Sequence, residues 1–252
     1  MPSKRSSHSS TLADRKMTST LEEIIKKLKD AEIASQGGSI VTVPIPYLFS
    51  LANALERETV GTESYAAFLK DVFPFLIKLD AARKSTLLRV IRYCLQGPQH
   101  AKLLVQEEIH WIVVATLEKD NSAEFNVERI QALKLVDKVR KIAPECFPVA
   151  FARSLVAIAN SKEDNLRRLC LDSLRELTLV NPSIVGTTGG FTTLLEAISD
   201  PISTDSAEKI LHTILFLLND PATRKVLMPC VDLKILVSSQ TQHRIRKYFY
   251  TF

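Results

Sequence analysis

The sequence predicts an all-α fold, a solenoid of helical repeats stacked into a right-handed superhelix. Between Phe125 and Ala197 one pattern occurs twice: an Arg opens an apolar-periodic helix, a Pro closes it, and a second apolar helix follows. The copies read ERIQALKLVDKVRKIAPECFPVAFARSLVAIA and LRRLCLDSLRELTLVNPSIVGTTGGFTTLLEAI. Arg129 stands 15 residues before Pro144 and Arg168 stands 14 before Pro182. The two prolines are 38 residues apart, within the period of stacked helical repeats. Strand signal is nearly absent, since the β-rich run Ser39–Val43 is short and flanked by breakers.

Residues 1–20 hold nine Ser or Thr and few large apolar side chains, so they are expected to form a disordered basic tail. Within it, Lys4-Arg5-Ser6-Ser7 offers a site to a basic-directed kinase, although its composition reads first as a solvated tail. Residues 21–80 are expected to form N-terminal helices that act as atypical capping repeats. Helix begins at Thr20 as N-cap, with Leu21, Ile24, Ile25 and Leu28 on one face, and stops at Gly37-Gly38. Pro46 suits the first turn of the next helix, which buries Leu48, Leu51, Ala52 and Leu55. Tyr65, Phe68, Leu69, Val72, Leu76 and Leu79 form a further stripe, in which Pro74 should kink or divide the helix.

Armadillo-like or HEAT-like repeats are expected over residues 81–240. Arg83 precedes Pro98 by 15 residues, with Leu87, Leu88, Ile91 and Leu95 between them, and a partner helix runs from Leu103 to Leu117. Ile130, Leu133, Val136 and Val139 serve one central copy, and Leu166, Cys170, Leu174 and Leu177 the other. In a fourth copy Ile210, Leu211, Ile214, Leu215 and Leu218 precede Pro221, with Ser206 as N-cap and no Arg at the matching start. Pro98, Pro144, Pro182 and Pro221 thus mark one position four times, because a helix seldom continues through the residue before Pro. Gly189-Gly190 directly before an apolar helix looks like the turn of an armadillo repeat, where Gly serves if φ is positive or backbones approach closely. Residues 241–252 form a basic, aromatic tail.

The formal charge of +5 resides in the ends: residues 1–20 and 241–252 each carry +3, and the body between carries −1. A nearly neutral body exerts little pull on phosphate backbones, so nucleic acid is not an expected partner. Cys94, Cys146, Cys170 and Cys230 lack zinc-ligand or redox spacing, and are expected to be reduced in an intracellular compartment. The uncharged run Ile33–Leu55 is interrupted by Gly37-Gly38, Pro44 and Pro46, so no membrane-spanning segment is expected. No catalytic, cofactor or metal constellation is legible, which predicts a non-enzymatic protein. Glu107, Glu108 and His110 read as a solvated face, His212 as a packed or rim histidine, and the single Trp111 as core.

The runs LLRVIRYCLQ (87–96), ERIQALKLVDKV (128–139), SLVAIAN (154–160), RRLCLDSLRELTLVNPSIV (167–185), GGFTTLLEAI (189–198) and ILHTILFLLNDPATRKVL (210–227) together resemble the N-terminal region of the Rictor family, called pianissimo or Avo3 in other lineages. The resemblance implies a scaffold subunit of TOR complex 2 that contacts the TOR kinase and a Sin1-type subunit. Its implied roles are support of AGC-kinase phosphorylation and control of the actin cytoskeleton, in the cytoplasm and peripherally at the plasma membrane. Family members are much longer, so the chain reads as a fragment, a truncated product or a short relative. A generic armadillo or HEAT adaptor unrelated to TOR is the alternative, and the single Trp argues against the peptide-clamping kind. Arg83, Arg129 and Arg168, recurring at one repeat position, are the protein-binding candidates: either a ladder for an acidic partner segment, or guanidinium forks holding helix-end carbonyls and acids such as Glu128.

Overall fold

The computed structural model describes residues 7–34, 43–56, 59–200 and 204–230. Among them are thirteen α-helices and no strand, as the periodicity requires. The chain divides into two compact units, residues 1–146 and 147–252. The tail beyond residue 230 and most of the run Ser39–Val43 lie outside the described residues.

The first unit holds α1 (Ser7–Ala34), α2 (Ile45–Leu55), α3 (Thr62–Lys78), α4 (Ala81–Cys94), α5 (Pro98–Gln106), α6 (Ile109–Leu117), α7 (Ala123–Ile142) and a 3-10 turn, Pro144–Cys146. α1 begins at Ser7, well before the N-cap expected at Thr20. No Gly or Pro lies between Ser7 and Ala34, so nothing in the chain stops the helix from extending backwards. Its apolar face, Leu21, Ile24, Ile25 and Leu28, is buried as expected. α3 runs unbroken through Pro74 and buries the whole stripe from Tyr65 to Leu76. The centre of this unit is α4, packed between α2 and α7. Leu87, Leu88, Val90, Ile91 and Cys94 are all inaccessible to solvent.

The second unit holds α8 (Val149–Asn160), α9 (Arg167–Val180), α10 (Pro182–Thr187), α11 (Gly190–Ser199), α12 (Thr204–Asn219), α13 (Pro221–Leu227) and a 3-10 turn, Met228–Cys230. α9 packs on α8 and α12, and α11 on α8 and α12. Ser206 lies within α12, two residues past its start, and is buried instead of capping the helix.

The four marked prolines share one role. Each opens the short element that follows a long helix: Pro98 starts α5, Pro144 the 3-10 turn, Pro182 α10 and Pro221 α13. A missing N–H costs nothing at a first-turn position, where no intrahelical acceptor exists. Side chains complete two of these corners, Asn181 accepting from the Ile184 amide and Asp220 from the Thr223 amide.

The reversal between a short helix and its successor also recurs. Gly189, before α11, has φ 81°, and Glu108, before α6, has φ 60°. Both are left-handed, a conformation that Gly adopts freely and Glu does not. Gly190 answers a different need. A Cβ there would stand 2.6 Å from Val185 Cγ1 and 3.2 Å from the Val185 carbonyl. The Gly pair therefore serves one positive φ and one close approach.

Candidate protein-binding surface

Two of the recurring arginines, Arg83 and Arg129, are tied to backbone carbonyls of earlier segments. Arg129, near the start of α7, donates through Nε to the carbonyl of Leu117, the last residue of α6, at 3.0 Å. Its Nη1 reaches Asn121 Oδ1 at 3.3 Å. Arg83, in the first turn of α4, donates through Nε to the Val43 carbonyl at 2.7 Å and pairs with Asp80, the N-cap of the same helix. Burial opposes ionisation of Asp80, but the Arg83 amide and guanidinium hold its carboxyl below the usual range.

In the second unit this part falls to Arg167. Its Nε donates to the Ala159 carbonyl near the end of α8 at 3.0 Å, and its Nη2 lies 2.6 Å from Asp200 Oδ2. Arg168, singled out by spacing, is exposed. The fourth copy also has such an arginine: Arg224 Nε donates to the Leu218 carbonyl at 2.6 Å. It follows the proline corner, where spacing from a helix start could not find it. A fork that caps the preceding helix satisfies carbonyls left open by the helix geometry.

A buried ionic cluster is centred on Glu128, the residue before Arg129. The Glu128 carboxylate is fully buried, is paired with Lys119, and has Lys84 Nζ at 4.0 Å. Burial pushes the Lys84 ammonium below its ordinary range, with Lys119 adding repulsion and Glu128 opposing both. Lys119 also sits 4.4 Å from the Phe125 ring centroid. The cluster links α4, the end of α6 and α7 from inside, and Arg129, only 1% exposed, presents no surface to a partner.

Side chains that do face solvent are apolar more often than the periodicity suggests. Trp111 is 56% exposed, a correction to its expected core position. It lies two residues, about 200° of helix turn, from the buried Ile109. His110 beside it is buried, not part of a solvated face, and its ring lies 4.8 Å from the indole. Leu169, Leu179 and Val180 of α9 and Leu215 and Phe216 of α12 are also exposed. His212 is exposed on the same stripe of α12 as Phe216. In the second unit a cleft of about 360 Å³ lies between the end of α8 and α11, lined in part by Asn160, Lys162, Arg167, Glu196 and Asp200. No helix among the described residues is long and apolar enough to cross a membrane.

A family model described as "Rapamycin-insensitive companion of mTOR, N-term" matches residues 48–248. Protein pianissimo A of Dictyostelium discoideum is 36% identical over 172 residues, 68% of this chain and 15% of that protein. Rapamycin-insensitive companion of mTOR from Mus musculus is 32% identical over 162 residues, 63% of this chain and 9% of that protein. Target of rapamycin complex 2 subunit TSC11 of Saccharomyces cerevisiae is 26% identical over 172 residues, 68% and 12%. The chain thus spans between 9% and 15% of the length of these relatives.

Proposed function

The chain belongs to the family of the N-terminal region of the rapamycin-insensitive companion of mTOR, and from that premise we propose that it is a non-enzymatic scaffold segment of TOR complex 2. The observation that carries the reading is the family match, continuous from residue 48 to 248 and crossing both units. The relatives include a protein named as a target of rapamycin complex 2 subunit. The finer reading is contact with the TOR kinase and a Sin1-type subunit, in support of AGC-kinase phosphorylation and actin organisation. Its setting is the cytoplasm and, through the complex, the membrane periphery. The solenoid with its right-handed winding belongs to the same proposal, as do the armadillo-like repeats over residues 81–240 and the capping helices before them.

Geometry favours unequal roles for the three arginines first singled out. Arg129 and Arg83 hold their own helices, whereas Arg168 is exposed and suits contact with an acidic segment. The test is affinity purification of the tagged full chain from cells, scored for the TOR kinase and Sin1 homologues. Co-purification is expected, weakened by Arg168→Glu and unchanged by Arg153→Glu. A folded, soluble chain that recovers neither subunit would overturn the reading in favour of an unrelated adaptor.

A further inference from the structure

Phe49 and Asn53 stand one turn apart on α2, against Arg89 of α4, whose neighbours on that helix are Arg92 and Tyr93. The Arg89 guanidinium lies 4.5 Å from the Phe49 ring centroid and 5.2 Å from that of Tyr93. Its Nε donates to the Tyr93 hydroxyl at 2.8 Å and its Nη2 to Asn53 Oδ1 at 2.9 Å. Arg92 lies 4.8 Å from the other ring contact, Tyr93, and its Nε is shut from solvent without an acceptor. Both acceptors of Arg89 are neutral.

Elsewhere Arg83, Arg140 and Arg167 each pair with a carboxylate, that of Asp80, Asp137 and Asp200 respectively. Among the described residues no carboxylate pairs with Arg89 or Arg92. Two like charges three residues apart on a helix repel each other unless an anion bridges them. Stacking and two hydrogen bonds hold the Arg89 fork in place before anything binds, and its Nη1 donates to no described residue. The ring of Phe49 beside it is 45% exposed.

We infer that Arg89, Arg92 and Phe49 form a docking site for an acidic segment of a protein partner. A carboxylate or phosphate sits across the two guanidiniums, and a neighbouring apolar side chain rests on Phe49. Planar forks match both anions in bidentate geometry. A polypeptide fits better than a nucleic acid or a lipid surface, because the patch has two cations in a body of charge −1 and so offers no extended positive field. The inference stands on local chemistry and holds whichever complex the chain serves.

The test is fluorescence anisotropy on the full chain with three labelled peptides of equal length. One carries glutamates flanking leucine, one carries phosphoserine in their place, and one carries glutamines. Both anionic peptides, or one of them, should bind, and the comparison tells which anion is preferred. The glutamine peptide should not bind. Arg89→Gln with Arg92→Gln should weaken binding about tenfold or more, and Arg89→Lys with Arg92→Lys should weaken it less. Phe49→Ala should weaken it too, and Arg153→Gln, at an exposed arginine elsewhere, should not. Circular dichroism melts of each variant establish that it is folded. Three results would overturn the site: neither anionic peptide binds the wild-type chain, the folded double Gln variant binds as well as wild type, or phosphatidylserine vesicles bind while the peptides do not.

Discussion

Arg129 and Leu117 are joined by a buried hydrogen bond that ties the start of one long helix to the end of the helix before it. The arginine is in the core, 1% exposed, beside the buried Glu128 in sequence, and its fork also reaches Asn121. Replacing it by Met strands the buried Leu117 carbonyl, at a cost of about 1–3 kcal/mol. Replacing the exposed Arg168 by Met should cost less than about 0.5 kcal/mol. Urea unfolding of the two variants checks this, and equal losses would contradict it.

The left-handed residue before α6 is a Glu where the matching residue before α11 is a Gly. Glu108→Gly should therefore raise stability by about 1 kcal/mol, and Gly189→Ala should lower it by a similar amount. Gly190→Ala should cost more, because its new methyl meets Val185 at 2.6 Å. Thermal melts should rank the three in that order.

His110 gives the first unit a pH dependence. Burial holds its imidazole below the usual range, with Glu108 opposing. The unfolded chain takes up a proton near about pH 6.5 that the native chain accepts only at lower pH. Its contribution to stability is thus complete above that pH and is lost as pH falls through the native value. Trp111, 4.8 Å away and the only Trp, reports the event, since a charged imidazole quenches an adjacent indole. The expected fluorescence midpoint lies below about 6.5. His110→Gln should flatten the titration, and a midpoint at or above that value would show that burial does not govern the imidazole.

Arg167 and Asp200 join the start of α9 to the residue after α11, both largely shielded from water. A double-mutant cycle with Arg167→Ala and Asp200→Ala should give a coupling of about 1–3 kcal/mol. Additive losses would mean that the arginine acts through the Ala159 carbonyl alone.

Helix faces were legible because burial repeats with the helix: Leu21 to Leu28, Tyr65 to Leu76 and Cys170 to Leu177 are inside as their spacing required. The proline corners were legible for the same reason, since Pro has one comfortable place in a helix. Less legible were features set by a neighbouring element. Spacing could not choose between Arg167 and Arg168, because the choice depends on where α8 ends. The exposure of Trp111 follows from which side of α6 meets α7, a tertiary fact. The aromatic and guanidinium groups of α2 and α4 are 36 and more residues apart and carry no shared motif. Helix at Ser7 went against composition, because a Ser-rich stretch reads as tail even where nothing breaks it.

Among the described residues each of the two units seals one thiol in its core, Cys94 in the first and Cys170 in the second. Burial pushes the Cys94 thiol up to about 12, so it is inert until the helices around it part. The chain therefore carries its own clocks for breathing motions. Under native conditions, the rate at which a disulfide reagent modifies each cysteine measures the opening of its surroundings. Cys146, only partly covered, reacts before Cys94 and Cys170 and sets the zero of their scale. Peptide mapping of the modified chain then shows whether Cys94 and Cys170 yield together or one after the other. That order is the mechanical hierarchy of the molecule, written into two small sulfur atoms.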